Sequence, residues 1–299
     1  MKSLFVAFAA LSLTSGADCG QHVMTQVGQS KSLIRGCYQN ASRPVERVVY
    51  FNDFDTTPGS NFPEWSSPGY SYVGAGISGS GPQRVTNVRS PNRSQTFLGE
   101  FGGPYVLPQG SKPVMRVSEI IKLSLDHLPR HKVMTIQFDL YVLKSWDGDS
   151  PQYGPDRFRL SVDSGSSLIN TTFSNNRKIK TDGSTQNYPS PASAPQSGAL
   201  SIGTLGYSDF FKDSVYRLAF SFAHSSESVR FAFSSDLFEG KGTDDESWGL
   251  DNVCVRISDA ADHQYAVPQC GSGFTRLHLP AVRNRKTGEF SLRHHEVMR

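Results

Sequence analysis

Acidic side chains gather beside tryptophan at two places in the chain: Ser145-Trp146-Asp147-Gly148-Asp149 with Asp156 following, and Asp244-Asp245-Glu246-Ser247-Trp248 with Asp251 following. Carboxylates spaced by a glycine turn suit calcium, which takes roughly six to eight hard oxygens from side chains, carbonyls and water. Asp147, Asp149 and Asp156 are therefore the first candidate metal ligands, with Ca2+ the expected ion. The spacing is not that of an EF-hand, so the match is one of chemistry rather than motif. A solvated acidic turn is the alternative. A second candidate set joins the two ends of the core, with Asp53 or Asp55 sharing an ion with Asp251 if the first and last strands are neighbours. Asp251 could instead accept backbone hydrogen bonds at a strand start. Asp244, Asp245 and Glu246 either complete one of these sites or stay hydrated.

Aromatic rings beside carboxylates are also the chemistry of sugar recognition, because the ring stacks on the apolar sugar face while carboxylates take the hydroxyls. Trp146, Asp147, Trp248 and Tyr153 make the expected ligand-binding set. The competing expectation is that both indoles plug the loop ends against the core.

These loops must be held by strands. Residues 133–143 alternate Ile136, Phe138, Leu140 and Val142 with Gln137, Asp139 and Tyr141, the period of a half-buried strand. The pattern recurs at 157–163, 215–222, 229–233 and 250–257, and more weakly at 48–54, 96–101 and 120–125. Between these runs lie stretches rich in Gly, Pro, Ser, Asn and Asp, at 56–92, 144–155, 175–198 and 239–247. Many strands with long loops and no helical pattern between them predict an all-β, two-sheet antiparallel jelly-roll sandwich over residues 47–258.

Residues 1–17 carry one basic residue, Lys2, an apolar stretch at 4–13 and a small-residue end, the pattern of a cleaved signal peptide. That stretch is about ten residues, short of the roughly twenty that span a bilayer, so a secreted protein without a transmembrane segment is expected. Residues 18–46 then form an N-terminal cysteine-bearing segment, and 259–299 a basic extension. The four cysteines Cys19, Cys37, Cys254 and Cys270 allow three pairings, of which Cys19–Cys37 and Cys254–Cys270 are favoured because each closes a short loop. Asn40, Asn92 and Asn170 begin sequons for N-glycosylation. The formal net charge of +3 makes no general case for nucleic acid. The imbalance is local: Arg276, Arg283, Arg285, Lys286, Arg293 and Arg299 face only Glu289 and Glu296 at the C-terminal end.

Phe51-Asn52-Asp53-Phe54-Asp55 followed by Pro63-Glu64-Trp65 opens the core, and Trp248-Gly249-Leu250-Asp251-Asn252-Val253 closes it. This bracket resembles the MAM and laminin-G (concanavalin-like) jelly rolls of secreted and cell-surface proteins, with Asp55 where those families usually have Glu. The resemblance implies a sandwich whose first and last strands lie side by side.

A jelly-roll glycosidase needs two carboxylates about 5 to 10 Å apart, commonly on one strand, and the sequence holds no such run. It has neither a Gly-x-Ser-x-Gly elbow nor a His-Glu-x-x-His zinc helix. The expectation is therefore a calcium-stabilised, lectin-like binding or adhesion protein that is not an enzyme. Its expected partners are a glycan or an extracellular matrix or cell-surface protein, with self-assembly into a coat or appendage as the alternative. A polysaccharide-active enzyme using Asp139 is the more remote one.

Overall fold

The computed structural model describes residues 46–73, 77–81, 84–103, 116–162, 165–177, 183–207, 210–238 and 242–259, with four short strands beyond them. Strands β1 (Gln26–Val27) and β2 (Ser30–Lys31) pair antiparallel within residues 1–45, which form a unit of their own. The second unit contains β3 (Arg47–Asn52), β4 (Trp65–Val73), β5 (Ile77–Ser80), β6 (Asn87–Arg89), β7 (Thr96–Phe101), β8 (Arg116–Leu125), β9 (Val133–Lys144) and β10 (Arg157–Val162). It continues through β11 (Ser166–Thr172), β12 (Ser201–Ile202), β13 (Ser214–Ala223), β14 (Val229–Leu237) and β15 (Glu246–Ser258), with a final hairpin of β16 (Ala281–Arg283) and β17 (Phe290–Leu292).

The protein is all-β, a jelly-roll sandwich of two antiparallel sheets. One has the order β11-β10-β14-β8-β4-β5, the other β12-β13-β9-β15-β7-β6, with β3 pairing the far half of β15. The chain passes between the sheets repeatedly, among other places from β8 to β9, from β9 to β10, from β13 to β14 and from β14 to β15. Alternation decides which side chains meet inside. Ile136, Phe138, Leu140 and Val142 of β9 face Phe158 and Leu160 of β10 and Phe231 and Phe233 of β14 in one core. Aromatic pairs knit it: Phe138 meets Phe233 edge-on at 5.3 Å, and Trp65 packs on Phe233 at 5.6 Å.

Every strongly alternating run is a strand, and β7 matches its expected bounds. The structure corrects the reading of 56–92 as turn-rich connection, since β4, β5 and β6 all lie there. Pro68 and Gly69 interrupt β4, its register against β8 shifts between Ser66 and Gly69, and its serines blur the period. The expected adjacency of first and last strands is present, with Asn52 opposite Val253 and Phe51 opposite Cys254. Cys254 is buried. Cys19, Cys37, Cys270, Asn40, the apolar N-terminal stretch and the basic residues from Arg276 on fall outside the described side chains. Among the described residues no helix is long and apolar enough to cross a membrane.

Candidate metal centre

The two acidic–aromatic segments meet. Glu246 opens β15 opposite Lys144, the last residue of β9, so the loop after β9 lies against the start of β15. Ser145 donates through its backbone N–H to the Asp245 carbonyl at 3.2 Å and through Oγ to the Asp245 carboxylate at 2.6 Å. Trp146 donates from Nε1 to the Ser247 carbonyl at 2.9 Å. From the other side, Asn175 and Asn176 donate backbone N–H groups to the Trp146 carbonyl at 2.7 and 3.2 Å. The Asn176 amide also donates to Asp147 Oδ1. The loop from β9 to β10 is thus bound on both flanks.

Three carboxylates converge inside this frame. Ligand oxygens of Asp147, Asp156 and Glu246 all lie within 4.8 Å of one another, the only such group of three His, Cys, Asp or Glu among the described residues. Their exposures are 8, 0 and 3%. Both Asp156 oxygens accept backbone N–H groups, Oδ2 from Asp147 and Oδ1 from Phe238 at 2.9 Å. The Asp156 N–H closes the loop onto the Gly148 carbonyl at 2.8 Å. Glu246 Oε2 has no hydrogen-bond partner.

Burial pushes the Asp156 carboxyl up to about 8, with the Asp147 charge adding to the rise against the two backbone donors. Glu246 is raised well above the usual carboxylate range by burial first and then by Asp156, Asp245 and Asp147. No basic side chain figures among the influences on either group. Dehydrated carboxylates crowded without a compensating charge are costly, and a bound cation or protons must supply it. An all-oxygen donor set with one oxygen orphaned fits a hard divalent cation, and it lacks the sulfur and imidazole that zinc or copper favour.

Gly148 makes the turn possible. Its φ is +62°, and a Cβ there would lie 2.0 Å from the Thr185 carbonyl oxygen, which already accepts the Asp149 N–H at 2.7 Å. Gly148→Ala is expected to displace the loop, lowering stability by about 1 to 3 kcal/mol, observable as a fall in the thermal midpoint.

The structure redistributes the other expected site residues. Asp149 is half-buried and outside the triad. Asp53 and Asp55 are exposed and make a local turn, the Asp55 N–H donating to Asp53 Oδ1 at 3.2 Å. They form no three-donor group with Asp251. Asp251 is buried and accepts the Tyr141 hydroxyl and the Asn252 N–H, each at 2.7 Å; burial raises it to about 7. The alternative of Asp251 as a hydrogen-bond acceptor is the one observed. Trp146 and Trp248 are both 0% exposed, which rules them out as stacking surfaces for a sugar. Trp248 packs on Phe101 at 4.8 Å and Phe158 at 5.4 Å, so the indoles are the plugs that hold the loops on the core. Of the expected ligand set only Tyr153 stays at the surface, half-buried, its hydroxyl accepting from the exposed Gln152 amide at 2.6 Å. Asn92 and Asn170 are exposed, as glycan acceptors must be.

Glu246 is the member of the triad that sequence reasoning placed only loosely. The repeated Ser-Trp beside acids at 145–146 and 247–248 was its signal.

The molecule is thus defined as a β-sandwich of the jelly-roll class with a buried carboxylate triad at one loop end. No family model matches the chain, and no curated protein matches it. Among solved structures it resembles the carbohydrate-binding module TmCBM27, described for specific mannan recognition, at 11% identity and a TM-score of 0.36, over 71% of this chain and 98% of that one. It also resembles BtGH115A, a 4-O-methyl-α-glucuronidase with specificity for decorated arabinogalactans, at 15% identity and a TM-score of 0.23, over 52% of this chain and 16% of that one. Likenesses this distant carry no argument about the site.

Proposed function

We propose that this is a secreted, calcium-stabilised β-sandwich that binds glycan without transforming it. The buried triad of Asp147, Asp156 and Glu246 carries the reading. Calcium there would link the β9–β10 loop to the start of β15, supplying charge compensation where no basic side chain figures among the influences on Asp156 or Glu246. At 0 to 8% exposure these carboxylates are too deep to meet a polysaccharide, so the ion's role is structural. A loop fixed in advance loses less entropy when it binds. Its outward residues, Gln152 and Tyr153, offer an amide and an aromatic ring, suitable groups for a sugar. Asp139, the carboxylate an enzymatic reading would use, accepts two hydrogen bonds from Arg217, at 2.8 and 2.9 Å, and one from Asn252 at 3.0 Å. That engagement favours a supporting role over a catalytic one.

The test is binding to an immobilised glycan panel in calcium and in chelator. Binding that weakens in chelator and in Glu246→Gln, and that Tyr153→Ala lowers without moving the thermal midpoint, supports the proposal. Equal binding with and without calcium overturns the organising role of the ion.

Assembly through protein contacts is the second reading, favoured by Val48 and Phe51 of β3, 55 and 43% exposed on a strand that among the described residues pairs only with β15. It predicts a sedimentation coefficient that rises with concentration and stops rising in Phe51→Lys.

A further inference from the structure

The outward face of the six-stranded sheet is basic in a patterned way. On β10 the inward Phe158, Leu160 and Val162 alternate with Arg157, Arg159 and Ser161. On β8, inward Val117, Ile121 and Leu123 alternate with Arg116, Ser118, Ile120, Lys122 and Ser124. On β14, inward Phe231 and Phe233 alternate with Arg230, Ala232, Ser234 and Asp236. Register aligns these outward residues across three strands: Arg157, Asp236 and Ser118 in one row, Arg159, Ser234 and Ile120 in the next, then Ser161, Ala232 and Lys122, then Arg230 and Ser124. With neighbouring strands about 4.8 Å apart, the result is a flat field of cations separated by small and hydroxyl side chains.

Among the described residues two carboxylates answer the five cations. Asp236 pairs with Arg159 at 3.0 Å and lies 3.8 Å from Arg116, and Asp126 at the strand end pairs with Arg230 at 2.8 Å. Arg157 and Lys122 have no ion-pair partner among the described residues. The whole chain carries a formal charge of only +3, so this face concentrates an excess equal to the whole. A purely solvated surface would intersperse both signs more evenly.

We infer that this sheet face binds an anionic polysaccharide, its sulfate or carboxylate groups lying over Arg157, Arg159 and Lys122 and taking hydrogen bonds from the intervening serines. The inference rests on the reading that the protein's ligand is a glycan, and it adds both a second surface and the chemical class. The face suits an extended polymer because it is open and spans three strands, with no enclosed pocket needed. Guanidinium groups meet planar carboxylates and sulfates through paired N–H donors. Asn170 is exposed on β11 directly opposite Arg159, 3.4 Å from its Nε, so an N-glycan at that position would sit over the edge of the field.

The test measures affinity for three probes, heparin, polygalacturonate and neutral mannan, with wild type and with Lys122→Glu/Arg157→Glu. Reversing these two residues breaks no ion pair among the described residues, and retained thermal midpoint and calcium response would show the variant folded. The expected result is salt-sensitive binding to heparin or polygalacturonate, weakened about tenfold or more in the variant. Heparin alone would assign sulfate, polygalacturonate alone carboxylate. Unchanged binding in the folded variant overturns the proposal and moves the binding elsewhere on the chain. Mannan binding with no response to either anionic probe overturns it too, while sparing the glycan reading. Silence of all three sinks both. Duplex DNA or phosphatidylserine vesicles bound as tightly at equal ionic strength would also count against it, replacing a glycan site with a general polyanion surface.

Discussion

Truncation of Trp248 to alanine is expected to cost about 3 to 5 kcal/mol, the usual range for deleting a buried large aromatic. For a domain of this size that corresponds to a fall of roughly 6 to 20 °C in the thermal midpoint. The indole is fully buried between Phe101 and Phe158, so its removal opens a cavity at the seam of the two sheets. The loss should appear without any glycan present. Trp146→Ala is expected to combine a similar loss with weaker calcium binding, because its Nε1–H ties the loop after β9 to the Ser247 carbonyl at the start of β15. Differential scanning calorimetry with and without calcium separates the two. A Trp248→Ala protein that melts like wild type and loses only sugar binding would restore the indole to the surface and contradict the packing described.

The second large effect is the response to calcium, and it carries a pH signature. At calcium a hundredfold above its dissociation constant, stabilisation of about 2.7 kcal/mol is expected, or roughly 5 to 11 °C. In chelator the raised carboxyls govern the pH dependence. Asp156 titrates near 8 in the folded chain against an ordinary 3.8, so from about pH 4 upward the folded state holds a proton that the unfolded chain has released. The stability this contributes is complete below about pH 4 and is lost as pH rises through about 8. Glu246 acts in the same direction. Calcium must displace these protons to bind, so the calcium-induced shift should be small near pH 5 and grow as pH rises through about 8. Melting curves across that window, with and without chelator, check it. A shift independent of pH would mean the ion binds elsewhere.

Much of the fold is legible because period-two alternation is a direct image of a strand with one face in the core. β9, β10, β13 and β14 all show it. β4 does not, since Pro68, Gly69 and its serines carry no apolar rhythm and its place is set by pairing with β8. At the site, Asp147 and Asp156 are legible because one loop supplies both. Glu246 depends on β15 lying against β9, a long-range pairing that no local pattern reports. Which of the two expectations held for the tryptophans, sugar platform or plug, was hidden for a related reason. Trp248 shares the inward phase of Leu250, ahead of the register shift between Asp251 and Cys254 that turns Val253 and Val255 inward, but a run taken to begin at Leu250 leaves it out, whereas the structure starts β15 at Glu246. Trp146 lies just past the end of β9, where alternation gives no direction.

The proposal that a divalent cation completes the triad is tested by isothermal titration of chelator-stripped protein with calcium near pH 8. One ion per chain is expected, bound with proton release, and that binding is lost in Glu246→Gln while Asp53→Asn and Asp149→Asn retain it. No binding heat in two buffers of different ionisation enthalpy, or undiminished binding in Glu246→Gln, would contradict it.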